Sequence, residues 1–186
     1  MIYAHVVQAK SLKSVMEDKF LVNKSIIEGR GCFAASSIKR GELICFMRGK
    51  PLSIAQVIEK YKSGKLRIED PLQIKEEQYL DLEEPYIFFN HSCCSNATII
   101  GEVKLIAIKD IEKGEEITYD YSSTEWTSDK FGKYKEWTMK CNCGSVFCRK
   151  LIKEFPSLSP ELQNKYIKNK MVQSFIVNKF MENKKN

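Results

Sequence analysis

No stretch of the 186 residues approaches the roughly 20 consecutive apolar residues needed to cross a bilayer, and no basic segment leads into an apolar one at the N-terminus. Neither a membrane span nor a secretory leader is expected, so the chain is read as intracellular, cytoplasmic or nuclear. Glycine and proline are scarce, 9 and 5, against 43% hydrophobic and 29% charged residues. Such a composition excludes fibrous and disordered classes and fits one ordinary globular body. Strong charge is also missing: 30 basic against 24 acidic side chains give only +6. Seven lysines (153, 165, 168, 170, 179, 184, 185) and three glutamates (154, 161, 182) follow Leu151, so most of that excess is C-terminal. The body is not a basic platform for sequence-specific nucleic-acid binding, and the lysine-rich end reads as a solvated helix face.

Seven cysteines, an odd number without a leader, argue against a disulfide framework and for metal ligation or buried thiols. Cys32 and Cys45 stand alone in apolar surroundings and read as core residues. Cys141, Cys143 and Cys148 form C-x-C-x4-C, three thiols around a glycine, and Cys93-Cys94 can supply a fourth. Four thiolates make a closed tetrahedral zinc site, structural because no position is left for water or substrate.

Short apolar runs broken by glycine turns predict strands at Phe20–Val22, Gly31–Ala35 and Glu42–Met47, and again at Pro85–Phe89, Ala97–Ile100, Val103–Ile108 and Glu116–Tyr121. From Ser53 the apolar positions fall at helical spacing until Gly64, with Ser53 as cap. Residues 122–140 have no clean period and read as a loop or cleft wall. Ser159-Pro160-Glu161 is a helix start, followed by one or two amphipathic helices to about Glu182. The fold class is α+β, mostly β.

Two further segments carry chemistry. Asn90-His91-Ser92-Cys93 follows an apolar run, and in Tyr119-Asp120-Tyr121 strand alternation puts both phenols on one face with Asp120 opposite. Taken singly, a lone histidine or an aromatic pair reads as core packing. Taken in order, Glu28-Gly-Arg-Gly-Cys-Phe-Ala, Lys39-Arg-Gly-Glu-Leu-Ile, Asn90-His-Ser-Cys-Cys-Ser-Asn96, Gly114-Glu-Glu-Ile-Thr-Tyr-Asp-Tyr121 and the Cys141–Cys148 motif resemble the SET-domain protein lysine methyltransferases with a post-SET zinc motif, over roughly residues 18–152.

That resemblance implies small β-sheets with knot-like C-terminal threading, a zinc-bound post-SET segment and a C-terminal helix. It divides the chain into an N-terminal strand or extension (1–17), a SET domain (18–122, with an insert at about 52–84 forming a substrate wall), the zinc segment (123–152) and a helical extension (153–186). It implies S-adenosylmethionine held by Arg30, Gly31, Cys32, Asn90, His91 and Tyr121, with Leu151 or Ile152 covering it. It implies Tyr121 as the catalytic phenol, Tyr119 lining the lysine channel, and zinc on Cys93, Cys141, Cys143 and Cys148. The expected activity is methyl transfer to a protein lysine, histone or otherwise, mainly monomethylation because a second phenol narrows the channel. The competing reading is a catalytically weak SET-like peptide-binding module. Three departures touch the pattern: Ser95 stands where a proline is usual, Ile87 where an arginine is common, and Phe46 or Met47 where a tyrosine is often found. The family's cysteine-rich module ahead of the domain is not expected, since no cysteine precedes Cys32.

Overall fold

The computed structural model describes residues 19–67, 69–134 and 136–184, so the expected extension over 1–17 lies outside the described residues. Among the described residues, ten short strands make four small antiparallel sheets. Strands β1 (Phe20–Lys24) and β2 (Arg30–Ala34) pair as a hairpin. Strand β8 (Lys104–Ala107) lies between β3 (Leu43–Phe46) and β7 (Ala97–Ile100). Strand β6 (Gln78–Leu82) lies between β4 (Gly49–Ser53) and β5 (Leu72–Lys75). Strands β9 (Thr138–Lys140) and β10 (Leu151–Lys153) form the last pair.

The largest core lies among the first three of these sheets and the chain crossing them, where Ile44, Phe89, Ile99, Leu105 and Ile117 are almost wholly buried. Helix α1 (Ile54–Lys62) begins where Ser53 predicts it. Ser53 Oγ accepts from the Gln56 N–H while Gln56 Oε1 accepts from the Ser53 N–H, a reciprocal cap. Gly64, at φ +69°, takes the left-handed turn just beyond its end. Ser159 likewise caps α2 (Pro160–Lys168), with Pro160 in its first turn, and α3 (Ser174–Asn183) follows. Both pack on a separate apolar cluster of Phe155, Tyr166, Val172, Ile176 and Phe180.

Two expected strands are not strands. Pro85–Phe89 folds instead into a single 3-10 turn over Tyr86–Phe88 that drives Tyr86 and Phe89 into the core. Residues 116–121 are extended but serve two partners in alternation: Ile117 N–H donates to Cys32 O, Ala97 N–H to Thr118 O, and Ser92 N–H to Tyr119 O. With neighbours on both sides and none over a continuous run, the segment makes isolated bridges, Phe33 to Glu116 and His91 to Tyr119. This threading of 116–121 between β2 and residues 90–97 brings the two chemistry-bearing motifs together.

Residues 122–140 are more ordered than a loop, with 3-10 segments at Tyr121–Ser123 and Asp129–Tyr134 before β9.

Candidate active site and metal centre

Asn90 is the hub of the first motif. Its side-chain amide donates to Glu28 O at 3.3 Å, Arg30 O at 3.0 Å and Glu116 Oε1 at 2.8 Å. The Glu116 carboxylate is held from its other side by Ser25 Oγ, 2.9 Å from both oxygens. A side chain at Gly31 would overlap that carboxylate, which is a steric reason for glycine there. One amide thus fixes the path of the Glu28–Gly31 loop.

His91 is 3% exposed, and burial lowers its pKa to about 4, so the ring is neutral. The Tyr121 N–H donates to Nδ1 at 3.2 Å, which leaves the ring proton on Nε2, 3.3 Å from Cys93 Sγ. The histidine therefore joins the Tyr121 turn to the cysteine cluster.

Tyr119 and Tyr121 have ring centroids 4.8 Å apart, as expected of two phenols on one face. The Tyr121 hydroxyl donates to Phe89 O at 2.8 Å. Burial pushes both phenols well above the usual tyrosine range, and they stay protonated donors. Asp120 points the other way and is 2% exposed. It accepts from Ser122 N–H at 3.0 Å, Arg149 Nη2 at 2.6 Å and Tyr166 OH at 2.5 Å.

Both phenols line a cavity of about 440 Å³ with Arg30 and Asn90. Of the other sequence-predicted residues, Gly31, Cys32 and His91 are buried outside its lining, and Leu151 is 49% exposed and also outside it. The β9–β10 register explains the last: Ile152 turns into the core beneath Trp137, Leu151 turns out, and Trp137 and Met139 face the cavity. Ile87 lines the cavity, whereas Phe46 and Met47 do not. The insert contributes Arg67, Glu69, Asp70 and Leu72, with Arg67 bridging Glu28 at 2.8 Å and Asp70 at 2.9 Å. Sequence reasoning missed Glu116, Glu125, Trp137 and Met139. Glu116 carries a signal, being the second acid of the Gly-Glu-Glu run, whereas the other three lie in the unpatterned stretch between Tyr121 and the Cys141–Cys148 motif.

A volume of 440 Å³ with aromatic walls and charges of both signs suits a small zwitterionic molecule, and the donor set fits S-adenosylmethionine. The metal test is geometric. The four Sγ atoms of Cys93, Cys141, Cys143 and Cys148 lie within 4.8 Å of one another, and Cys93 and Cys141 are 3.8 Å apart. Tetrahedral zinc at 2.3 Å from each thiolate requires sulfurs roughly 3.8 Å apart, so the residues fit the ion. The Arg149 N–H also donates to Cys93 Sγ at 3.3 Å. Cys94, the other candidate, is exposed and lies beside Lys109 instead.

The chain is also similar to known proteins. The chain is 28% identical over 158 residues to the histone-lysine N-methyltransferase trithorax of Drosophila virilis, and 29% over 161 residues to human histone-lysine N-methyltransferase 2B. Each match covers 77% of this chain but only 4% and 6% of the relative. An H3 lysine-4 specific histone-lysine N-methyltransferase of Emericella nidulans is 29% identical over 68% of this chain and 11% of its own length. Among solved structures, the methyltransferase domain of human histone-lysine N-methyltransferase SETMAR shares the fold, at a TM-score of 0.56 and 24% identity over 73% of this chain and 58% of that one. No helix among the described residues is long and apolar enough to cross a membrane. A family model for the SET domain matches residues 29–122, just over half of the sequence, and the chain belongs to the SET-domain family.

Proposed function

We propose that the protein transfers a methyl group from S-adenosylmethionine to the side-chain amine of a protein lysine, with a histone tail as the first substrate class to test. The observation that carries this reading is the pairing of Tyr119 and Tyr121, protonated and 4.8 Å apart, in one cavity with Arg30 and Asn90. When bound, the cofactor supplies an electrophilic methyl on a sulfonium. The protein's part is alignment and electrostatics. Asn90 and the Glu28–Arg30 loop would cradle the cofactor, and His91 would hold the Tyr121 turn in place. The Tyr121 hydroxyl would orient the amine, and the aromatic walls, Trp137 included, would disfavour its charged form by desolvation. The Tyr119 hydroxyl, a second polar group in the channel, would hold the amine or a water and restrict added methyls, which supports mainly monomethylation. Zinc on the four cysteines would be structural, tying the segment after Tyr121 to the Asn90 turn.

The histone substrate is supported by the names of the relatives, and with it action in the nucleus. The deciding experiment is transfer of labelled methyl from S-adenosylmethionine into core histones and into a mixed proteome, native chain against Tyr121→Phe. Label in a protein band that disappears with Tyr121→Phe supports the reading. Cofactor binding without label in any protein would replace it with the peptide-binding module.

A further inference from the structure

The cavity wall contains an acid for which the proposed chemistry has so far had no use. Glu125 is 3% exposed and lines the same cavity as Tyr119, Tyr121 and Trp137. Its two side-chain hydrogen bonds, from Tyr79 OH and Thr127 Oγ1, are both 3.3 Å long and both fall on Oε1. Two long contacts on one oxygen compensate poorly for burying a carboxyl among aromatic rings. Groups held at such a cost are concentrated at functional sites. The neighbouring Tyr119 phenol feels the Glu125 charge, which helps to raise its pKa. The cavity as a whole favours a cation, since Glu28, Glu69 and Asp70 already outnumber Arg30 and Arg67 without Glu125.

We infer that Glu125 receives the substrate ammonium in the channel and accepts its proton, delivering the neutral amine that methyl transfer requires. The inference rests on the lysine-transfer reading of the same cavity. The step starts from ionised Glu125, its own proton having left to solvent as the ammonium enters: one N–H bond of the ammonium breaks and one O–H bond forms on Glu125, converting an ion pair into a neutral amine and a neutral carboxyl. The proton passes to solvent before the next turnover. In water this transfer runs uphill, from an amine of pKa about 10 to a carboxyl near 4. The channel narrows the gap from both sides: burial and the Glu154 carboxylate push Glu125 up to about 8, and the same burial lowers an incoming amine. No other acid in the cavity has this position, because Glu28, Glu69 and Asp70 are all engaged by Arg67.

The test uses n-butylammonium chloride as a probe for the lysine side chain and carbon-13 carboxyl-labelled glutamate in the full chain, read by NMR. In the native protein the probe is expected to move one glutamate carboxyl signal that is missing from Glu125→Gln, and the probe's affinity is expected to fall tenfold or more in that variant. Glu125→Asp, which keeps the acid, restores part of the affinity and guards against a variant that merely folds badly. Equal affinity in native and Gln forms, or no probe binding, overturns the inference. Transfer to core histones is the second arm. Glu125→Gln is expected to lose about a hundredfold in kcat/KM near pH 7.5, with the deficit shrinking toward pH 10 as lysine deprotonates unaided. Superimposable pH profiles overturn the Glu125 role and leave lysine transfer standing. A native chain that methylates nothing while its Glu125 signal still answers the probe overturns the transfer reading and leaves the amine site.

Discussion

The Tyr166 hydroxyl, on α2, donates to Asp120 Oδ2 across 2.5 Å, in a pocket where both side chains are buried. Asp120 immediately precedes Tyr121, and its other oxygen takes Arg149 Nη2 at 2.6 Å, one residue beyond Cys148 of the cysteine cluster. One carboxylate therefore joins the Tyr121 turn, the cysteine cluster and a helix lying outside the 29–122 family match. The helical extension is part of the scaffold of the site.

Tyr166→Phe keeps the ring and deletes only the hydroxyl, leaving Asp120 short of one donor. The expected loss is about 1–3 kcal/mol, the scale for a hydrogen bond to a buried charged group. For a chain of this size each kcal/mol corresponds to roughly 2–4 °C in Tm. A double-mutant cycle with Asp120→Asn in thermal unfolding checks it: the two losses should fall well short of additive. Additive losses would show that the contact contributes nothing.

Metal removal is expected to act through the same junction. The purified protein should carry one zinc per chain by elemental analysis, and Cys143→Ser or a strong chelator should abolish it. Because the proposed ion would join Cys93 to the 141–148 loop, its loss should free Arg149 from Asp120 and lower Tm. A chain that stays metal-free after refolding with zinc, with unchanged Tm, would exclude the centre.

The parts legible in the sequence were those set by local chemistry. Ser53 and Ser159 announced their helices because capping is a contact across three residues, and C-x-C-x4-C announced a metal loop because its ligands are neighbours. The sheet of β4, β6 and β5 went unseen: its turn at Lys75–Gln78 has no glycine, and Pro51 is tolerated only because β4 is an edge strand. Pro85–Phe89 has the aromatic and branched residues of a strand, yet its burial is met by a 3-10 turn. In the site, Asn90, Tyr119 and Tyr121 were readable from motifs, whereas Glu125 and Trp137 reach the cavity through tertiary placement that no spacing reports.

Gly31→Ala is expected to destabilise by steric overlap, not backbone strain. The new methyl would meet the Glu116 carboxylate, which cannot swing aside without releasing Asn90 and Ser25. Overpacking of this kind costs about 1–3 kcal/mol. Urea unfolding measures it, and S-adenosylmethionine affinity should fall in parallel because the Glu28–Arg30 loop moves with Asn90. Unchanged stability would mean that Glu116 is free to relocate.

The Glu125 carboxyl also predicts how stability changes with pH, independent of any substrate. Its pKa is raised in the fold, to about 8, chiefly by burial and then by Glu154, while the unfolded chain titrates near the ordinary value of 4.5. Between those values the folded state binds a proton that the unfolded state does not, so stability falls as pH rises. The groups that face it are Tyr79 from β6, Glu154 beyond β10, Thr127 on the next turn and Tyr119 across the cavity. Both tyrosines stay protonated over this range, so they add no opposing slope. The contribution is full below about pH 4.5, declines by on the order of 1 kcal/mol per pH unit, and is gone above about pH 8. Glu125→Gln is neutral at every pH and lacks the decline. Urea unfolding of both forms at pH 5.5, 7 and 8.5 should therefore show the native chain losing ground to the variant as pH rises. Parallel pH profiles would place the carboxyl in contact with solvent and remove the basis for its raised pKa.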